Sequence, residues 1–442
     1  MKRLLQFVLF IAASVLLVWI LKQAFPKNTG ALNLFLLFLF FDAFLWIVTR
    51  REIRPLKPVW RITLTLLFWL PFVLVIAGVT YGFFSTYYVW PLFVKTYLTS
   101  FVLIAYTARL LPVAFLIATL VTQGILLILA RWFLPIKPWI RRLKFLFLAG
   151  WLLGLLFFLV MLAGMVLWEH HFRLRKVEIT LEQLPPAFNG LRIVQISDLH
   201  LGGWNRISRL EELVTLVNAA QPDLVFFTGD LCNYSTADAW PFRDILKKIR
   251  ATYGIFAVMG NHDYGDYMKW ASAEAKNKNL LDLYRFYQEL GWRLLRNENQ
   301  VLVKDRDSLV LVGVENWGSE RRFQRLADLP KALAGVETIP VKLLLSHDPT
   351  YWDSIVSNQY PGIDLTFSGH THGGQMGIET GDFRWSPIQY LYPTWAGLYQ
   401  KRWPEGPTQY LYVNRGAGTI GYAGRVGIWA EITLIVLKCK SS

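Results

Sequence analysis

The sequence predicts a helical membrane region followed by an α/β domain. Two observations support this prediction. Apolar stretches of roughly twenty residues, the length that crosses a bilayer, recur up to residue 168. Beyond that point, short buried-strand patterns alternate with amphipathic helical patterns. We therefore predict a membrane region at 1–168, a short charged connector at 169–177 and an α/β domain at 178–442.

About five membrane spans are predicted from the apolar stretches. They lie near residues 4–25, 31–49, 62–84, 108–131 and 145–168. Basic residues are concentrated in the loop after the second span and in the loop after the fourth, and such loops face the cytoplasm. Five spans then place the N-terminus inside and the α/β domain outside the cytoplasm. A count that is wrong by one span would invert the domain.

The second predicted span contains Asp42, and the fourth contains Arg109. A charged side chain is costly inside a bilayer unless it has a partner. We therefore expect these two residues to pair with each other and to hold the spans together as a bundle.

The net charge of +15 does not indicate a nucleic-acid partner. Residues 1–178 hold 19 Lys and Arg against 4 Asp and Glu, which leaves 27 of the 46 basic and 27 of the 31 acidic residues in the remainder. The surplus charge thus belongs to the membrane region, where loop topology explains it. A formally neutral α/β domain lacks the charge that binding to nucleic-acid phosphates requires, so we expect no nucleic-acid partner.

Five short motifs follow five predicted strands of the α/β domain. The motifs are Asp198-Leu-His200, Gly229-Asp230, Gly260-Asn-His-Asp263, Ser346-His347 and Gly369-His-Thr-His372, and they contain five of the seven histidines of the chain. Ligands at strand ends of one sheet edge converge in space. Histidine, aspartate and asparagine all ligate divalent metals, so the pattern is that of a two-metal phosphoesterase centre.

In order and spacing, these motifs resemble those of the calcineurin-like metallophosphoesterases, over about 178–438. The tail from Tyr412 to Thr419 is similar to the branch found in membrane-attached bacterial proteins. The resemblance implies a β-sandwich flanked by helices, in four αββα layers. It also implies a hydrolase dependent on two divalent ions, of manganese, iron or zinc, in the plasma membrane of a bacterium.

The resemblance also implies a role for each motif residue. It assigns one ion to Asp198, His200 and His372, the other to Asn261, His347 and His370, and the bridge between them to Asp230. It implies that His262 is the general acid or transition-state stabiliser and that Asp263 orients it and keeps it protonated. Arg415 is a candidate substrate contact, with a structural turn arginine as the alternative.

Three functions are compatible with these residues. The first is hydrolysis of phosphate ester or pyrophosphate bonds by a metal-activated hydroxide, on a lipid-linked or cell-envelope substrate next to membrane lipid. The second is the UDP-2,3-diacylglucosamine pyrophosphatase reaction of lipid A synthesis, whose substrate is cytoplasmic. The third is a non-catalytic membrane sensor with a relic metal site, although none of the motif positions is altered.

Two further features bear on the substrate. Gly229-Asp230 continues as Leu-Cys-Asn-Tyr, without the arginine that follows this motif in protein phosphatases of the same family, which disfavours a phosphoprotein substrate. The segment 376–410 is rich in tryptophan, tyrosine and phenylalanine. It could cap a hydrophobic substrate, face the lipid as an interfacial rim, or pack a long loop.

Overall fold

The computed structural model describes residues 2–24, 29–132, 144–318, 325–381, 383–404 and 406–440. These residues belong to two compact units, Met1–Leu162 and Ala163–Ser442. The first unit is helical, and the second contains the sheets and all five motifs. The basic loop predicted at 137–144 lies outside the described residues, apart from the first residue of a helix.

Long helices occupy the predicted spans. Their bounds are Lys2–Ala24 (α1), Thr29–Ile53 (α2), Pro58–Phe84 (α3), Thr99–Trp132 (α4) and Lys144–Leu167 (α5). Among the described residues, four stretches are long and apolar enough to cross a membrane, and α1 contributes a shorter apolar stretch, Ala12–Gln23. The chain is therefore a membrane protein. A length of 34 residues makes α4 about 51 Å long, well beyond the ~30 Å of a bilayer core.

The expected pair of charges is present in the helical unit. Arg109 Nη1 donates to Asp42 Oδ1, and the Tyr106 hydroxyl donates to Asp42 Oδ2 at 2.6 Å. Arg109 Nη2 also donates to the backbone carbonyl of Phe68. Both charged side chains are buried, so α2, α3 and α4 meet at one polar contact inside the bundle, and the predicted pairing is confirmed.

The second unit contains two six-stranded sheets and one hairpin. The first sheet has the order β1-β14-β2-β3-β4-β5 and the second the order β12-β13-β9-β8-β7-β6. The bounds are Phe172–Leu181 (β1), Arg192–Ile196 (β2), Leu224–Phe227 (β3), Ile255–Ala257 (β4), Arg293–Leu294 (β5), Glu298–Lys304 (β6), Asp307–Gly313 (β7), Lys342–Leu345 (β8), Leu365–Ser368 (β9), Ile378–Thr380 (β10), Phe383–Trp385 (β11), Gly397–Arg402 (β12), Thr408–Val413 (β13) and Ala430–Cys439 (β14). Strands β10 and β11 form the separate antiparallel hairpin.

The two sheets pack face to face. A buried apolar cluster takes side chains from β2, β3 and β14 of the first sheet and from β7, β8 and β9 of the second. Phe226 and Phe367 meet across this interface edge to face, with ring centroids 4.8 Å apart. Each strand alternates its side chains between this core and the outer face of its sheet.

Helices cover both outer faces. The helices Ile207–Ala219 (α6) and Ala273–Leu290 (α7) pack on the first sheet, and the short helical segments Leu329–Leu333 and Trp352–Val356 pack on the second. Further short helical turns lie at Thr236–Asp238, Trp240–Phe242 and Arg243–Leu246. The domain therefore has the predicted four-layer αββα fold.

The structure adds strands that the sequence patterns did not indicate. Most of the predicted connector at 169–177 belongs to β1, which pairs in parallel with β14 along ten residues. Exposed positions of β1 carry Arg173 and Lys176, because this strand lies at the edge of its sheet. The partly buried Arg175 pairs with Glu379 and Glu431. Charged edge positions discourage further strand pairing, and they gave the segment the composition of a connector.

Candidate metal centre

The predicted metal ligands lie in loops that leave the strands at one end of the sandwich. Asp198 follows β2 and Asp230 follows β3, both in the first sheet. His347 follows β8 and His370 follows β9 in the second sheet. The centre is thus built across the sheet interface, and each strand end brings one or two ligands to it.

The backbone is strained where these ligands lie. Nine described residues other than glycine have positive φ, and five of them are predicted ligands. These five are Asp198, His200, Asp230, His370 and His372. Left-handed backbone is unfavourable for side chains of this kind unless the surrounding structure enforces it, and it clusters at functional sites.

Two glycines of the motifs are required for space. A Cβ atom at Gly260 would collide with the Asp230 carboxylate, and one at Gly369 would collide with Asp198 and Ser197. The loops therefore pass each other too closely for any side chain at these positions. This close approach brings the carboxylates of separate strands into one centre.

Among the residues that the structure describes, three groups of potential ligands have donor atoms within 4.8 Å of one another. The groups are Asp198 with His200 and His372, His200 with Asp230 and His262, and Asp230 with His347 and His370. Neighbouring groups share a member, so the ligands form one continuous centre. The first and third groups follow the predicted division between two ions.

Asp230 lies at the middle of this centre. Its Oδ2 atom is 3.5 Å from His200 Nε2 and 3.3 Å from His347 Nε2, and these two histidines come from different groups. Asn261 adds an amide oxygen 3.2 Å from His347 Nε2. The carboxylate therefore reaches both halves of the centre, as a bridging ligand would.

Burial sets the protonation of the imidazoles. It lowers the pKa of His200 to about 3 and lowers the pKa of His370 and His372 as well, because an imidazolium loses its hydration there. Burial opposes the charge on Asp230, but the neighbouring histidines, His347 first among them, together outweigh it and hold the pKa of Asp230 below its ordinary value. At His347, burial is outweighed by the charge of the Asp230 carboxylate and the hydrogen bond to it, so the pKa of His347 is raised to about 10. The centre thus offers three neutral imidazoles beside an ionised carboxylate, and His347 would release a proton on binding a divalent metal.

The donor set fits divalent cations. The Nε2 atoms of His200 and His372 are 3.0 Å apart, and two imidazole lone pairs at this distance repel unless a proton or a cation lies between them. Carboxylate oxygens, an amide oxygen and imidazole nitrogens together suit manganese, iron or zinc. The clusters can therefore bind metal.

Groups outside the centre orient two of the histidines. His347 Nδ1 lies 2.7 Å from the carbonyl oxygen of Thr228, so it carries the proton and leaves Nε2 free to act as a ligand. His370 Nε2 lies 3.0 Å from the Tyr392 hydroxyl, which leaves Nδ1 facing the centre. Tyr392 was predicted only as one of many aromatic residues in 376–410, and no spacing signal distinguished it from the others.

His262 lies beside the centre with its ring fixed on two sides. Its Nδ1 atom is 2.8 Å from the carbonyl oxygen of Asn233, and its ring stacks on Tyr267 at 3.8 Å with an interplanar angle of 6°. Tyr267 also accepts a hydrogen bond from Asn261 at 2.8 Å. Sequence reasoning did not find Tyr267, because nothing in the motif indicates which nearby tyrosine packs on the histidine.

The role predicted for Asp263 requires correction. Its carboxylate accepts hydrogen bonds from backbone N–H groups of Asp230, Leu231, Cys232 and Gly260 at 2.9–3.2 Å, whereas His262 Nδ1 faces a backbone carbonyl. Asp263 therefore joins the loop after β3 to the loop after β4. It is a positioning residue for the bridging carboxylate rather than the group that orients His262.

The prediction that Arg415 contacts substrate is contradicted. Arg415 is only 2% exposed, and its Nη1 and Nη2 atoms donate to the carboxylates of Glu431 and Glu379. Its charge is already neutralised inside the protein, so it is not available to a phosphate. The structure supports the alternative weighed from the sequence, a structural arginine.

Comparisons with known proteins agree with this geometry. Residues 191–374 match the family model described as calcineurin-like phosphoesterase. The chain is 31% identical over 273 residues to a bovine "transmembrane protein with metallophosphoesterase domain", and the match covers 59% of this chain and 56% of that protein. A zebrafish protein of the same name gives nearly the same match. The chain thus spans a little over half the length of these relatives.

Two further similarities come from bacteria. The chain is 27% identical over 322 residues to the UDP-2,3-diacylglucosamine pyrophosphatase LpxG of Chlamydia muridarum, a match that covers 62% of this chain and 92% of that protein. Among solved structures, a 5'-nucleotidase precursor from Thermus thermophilus aligns with a TM-score of 0.35 and 16% identity, over 56% of this chain and 54% of that one.

Proposed function

We propose that this chain, a membrane protein with a calcineurin-like metallophosphoesterase domain, hydrolyses phosphate ester or pyrophosphate bonds with two divalent metal ions. The observation that supports this most directly is the position of Asp230, whose carboxylate lies within 3.5 Å of histidines from two ligand groups. Two cations a few ångströms apart repel, and an anionic bridge offsets that repulsion. Asp198, His200 and His372 would hold one ion, and Asn261, His347 and His370 the other.

Bound metal would supply a hydroxide at neutral pH by lowering the pKa of a coordinated water. The residues of the chain contribute position and proton control. His262 donates Nδ1–H to the carbonyl of Asn233, which leaves Nε2 as the atom that can give a proton to a leaving oxygen. Stacking on Tyr267 keeps that ring from rotating. Asp263 holds the loops that carry Asp230 and Asn261.

We further propose a lipid-linked or cell-envelope substrate and a catalytic domain outside the cytoplasm. Anchoring by several spans favours a substrate that stays at the membrane, because the catalytic domain and the substrate are then confined to the same membrane surface. The orientation follows from the basic loop at 50–61 and from five spans, with α1 counted as a span.

A second candidate is hydrolysis of UDP-2,3-diacylglucosamine. The similarity to the Chlamydia muridarum enzyme, which extends over 92% of that protein, supports it. Because this nucleotide-linked substrate is cytoplasmic, the two candidates require opposite orientations of the domain. A reporter fused after residue 178 that is active only outside the cytoplasm would favour the first candidate, and one active only inside would favour the second.

The chemistry is tested by adding manganese to the detergent-solubilised protein and supplying a chromogenic phosphodiester or phosphomonoester. We expect metal-dependent turnover that falls at least ~100-fold in Asp230→Asn, because the amide cannot bridge two cations. Asp282→Asn, on the solvent-facing side of α7 and paired with Arg285, is the matched control and should keep full activity. Bound metal without turnover of either ester would favour either a narrow lipid substrate or a non-catalytic sensor.

A further inference from the structure

Four large apolar side chains are exposed on one side of the metal centre. Ile378 lies on β10, Phe383 on β11, and Tyr390 and Leu391 on the turn that follows. Their exposed fractions are 52, 60, 76 and 74%. These four residues are called the apolar rim below. Large apolar side chains that are exposed together within one short segment mark a candidate site that another phase or molecule covers.

The apolar rim is joined through short contacts to the last turn of α5, which belongs to the same compact unit. Arg425 N donates to the carbonyl of Gly164 at 3.3 Å, and a Cβ at Gly164 would collide with Tyr422 and Val426. Gly377 N, one residue before β10, donates to the carbonyl of Val426 at 2.9 Å. One residue, Val426, thus lies between the end of a membrane span and the start of the rim hairpin.

Aromatic and basic side chains lie next to the last turn of α5. Trp168, directly after α5, meets Trp429 edge to face with ring centroids 5.8 Å apart, and the guanidinium of Arg173 lies 4.9 Å from the Trp429 ring. Tryptophan and arginine side chains of this kind belong at the headgroup level of a bilayer. Val166 and Leu167, the last residues of α5, are themselves largely exposed, as lipid-facing positions would be.

The apolar rim also lies close to the metal centre. Tyr392 follows Leu391 directly, and its hydroxyl lies 3.0 Å from Nε2 of the predicted ligand His370. On the other side, the loop of His370 and His372 runs through Gln375 into β10. Gln375 also donates to the carbonyl of Tyr422 at 2.6 Å. The last turn of α5, the rim and the ligand loop therefore form one connected piece.

We infer that the apolar rim lies in the interfacial layer of the bilayer that α5 crosses, and that the metal centre therefore faces phosphate groups at headgroup depth. This rests on the proposed function for the identity of the reaction, but not for the position of the rim. The bilayer is the occupant that the contacts favour, because the rim is held to the last turn of α5, whose Val166 and Leu167 are exposed. Insertion of such a surface reaches ~5–10 Å into the headgroup boundary.

The position of the rim is tested by spin labels in full-length protein reconstituted into vesicles of phosphatidylethanolamine and phosphatidylglycerol. Labels replace Phe383→Cys or Tyr390→Cys in a Cys439→Ser background, since Cys232 is buried. Val303→Cys is the control, because Val303 is 68% exposed on β6, at the far edge of the second sheet from β12. Collisions with oxygen, which enters the bilayer, are compared with collisions with a water-soluble nickel chelate.

We expect the oxygen-to-nickel collision ratio at both rim positions to exceed that at position 303 several-fold. Equal ratios at rim and control positions would overturn the inference, because the rim would then face water. Low collision rates with both reagents would also overturn it, since they indicate coverage by protein, such as a second copy of the chain. None of these readings requires turnover, so they stand even if the proposed function fails.

A second measurement addresses the substrate. Vesicles that contain phosphatidic acid should inhibit manganese-dependent hydrolysis of a soluble chromogenic diester by the reconstituted wild type. The variant Phe383→Ser/Tyr390→Ser/Leu391→Ser should keep its turnover of the soluble diester and its inhibition by glycerol phosphate, but lose most of the inhibition by phosphatidic acid. Equal inhibition of both proteins by phosphatidic acid would contradict a role for the rim in presenting lipid phosphates.

Discussion

The carboxylate of Asp263 accepts four backbone hydrogen bonds in the loops that carry the predicted bridge and the predicted amide ligand. Removing it in Asp263→Ala leaves those buried N–H groups without an acceptor, at about 1–3 kcal/mol for each group that water does not reach. We expect a free energy of unfolding lower by at least ~3 kcal/mol and weaker manganese binding. Thermal unfolding and calorimetric titration with manganese measure the two effects.

Asp263→Asn provides the conservative comparison, because its amide oxygen still accepts part of this network. It should recover much of the stability and of the metal affinity. If instead both variants bind manganese normally and lose only turnover, Asp263 takes part in the chemistry and the positioning role assigned to it is wrong.

His170 introduces a pH dependence of stability in the second unit. Its side chain is buried against Trp204, with ring centroids 4.1 Å apart. Burial first, and the charge of Arg425 second, lower its pKa to about 3, against about 6.5 in an unfolded chain. Between these two values the unfolded chain binds a proton that the folded chain does not, so stability is complete above pH 6.5 and declines as the pH falls.

The decline has an upper limit of ~1.4 kcal/mol per pH unit from this one group. His170→Gln removes the titration, so the difference in unfolding midpoint between wild type and variant should shift in favour of the variant as the pH is lowered through 6. A difference that stays constant with pH would show that folding does not change the pKa of His170.

At the scale of elements, the contact between Asp42 and Arg109 ties three helices together. Replacing one partner leaves the other charge buried and uncompensated, which costs about 3–5 kcal/mol. We therefore expect Asp42→Ala and Arg109→Ala each to reduce the yield and thermal stability of the solubilised protein. The double variant should be destabilised by less than the sum of the single variants, and strict additivity would contradict a direct interaction.

The elements that were predictable from sequence are those whose local pattern decides their structure. The buried strands before the five motifs carry continuous apolar runs, and the amphipathic pattern at 207–219 coincides with α6. Strands β1, β10 and β12 were not recognised, because they are half exposed and carry no continuous apolar run. Strand β10 and strand β12 pair with the strands that directly follow them, whereas β1 pairs with the distant β14. The structure of β1 therefore depends on tertiary pairing rather than on local propensity.

In the candidate site, too, some features were predictable from local sequence and others depend on tertiary contacts. Motif residues at strand ends predicted which side chains meet, and the structure brings all of them to one place. What the motifs could not predict is which atoms those side chains contact. Asp263 was expected to face an imidazole and instead faces backbone N–H groups, and Arg415 was expected to face substrate and instead faces two glutamates. Both outcomes depend on elements distant in sequence.

At the scale of the whole molecule, the metal centre is where the two sheets of the second unit are linked. Its predicted ligands come from the ends of β2, β3 and β4 in one sheet and of β8 and β9 in the other. Apolar side chains fill much of the interface, and Gln195 and Tyr412 donate hydrogen bonds across it. Bound metal would add further cross-links between the two sheets. Occupancy of the centre should therefore stabilise the sandwich as a unit.

A ligand that binds only the folded state stabilises it by ~2.7 kcal/mol when its concentration is 100 times its dissociation constant. For a domain of this size that corresponds to roughly 5–10 °C in the unfolding midpoint. We expect a chelator to lower the midpoint of the manganese-loaded protein by about that much, and Asp230→Asn to respond far less. If the chelator strips the metal, as measured by elemental analysis, and the midpoint does not change, metal binding is not linked to folding. The assignment of the ligands to a centre that forms only when the two sheets come together would then have to be abandoned.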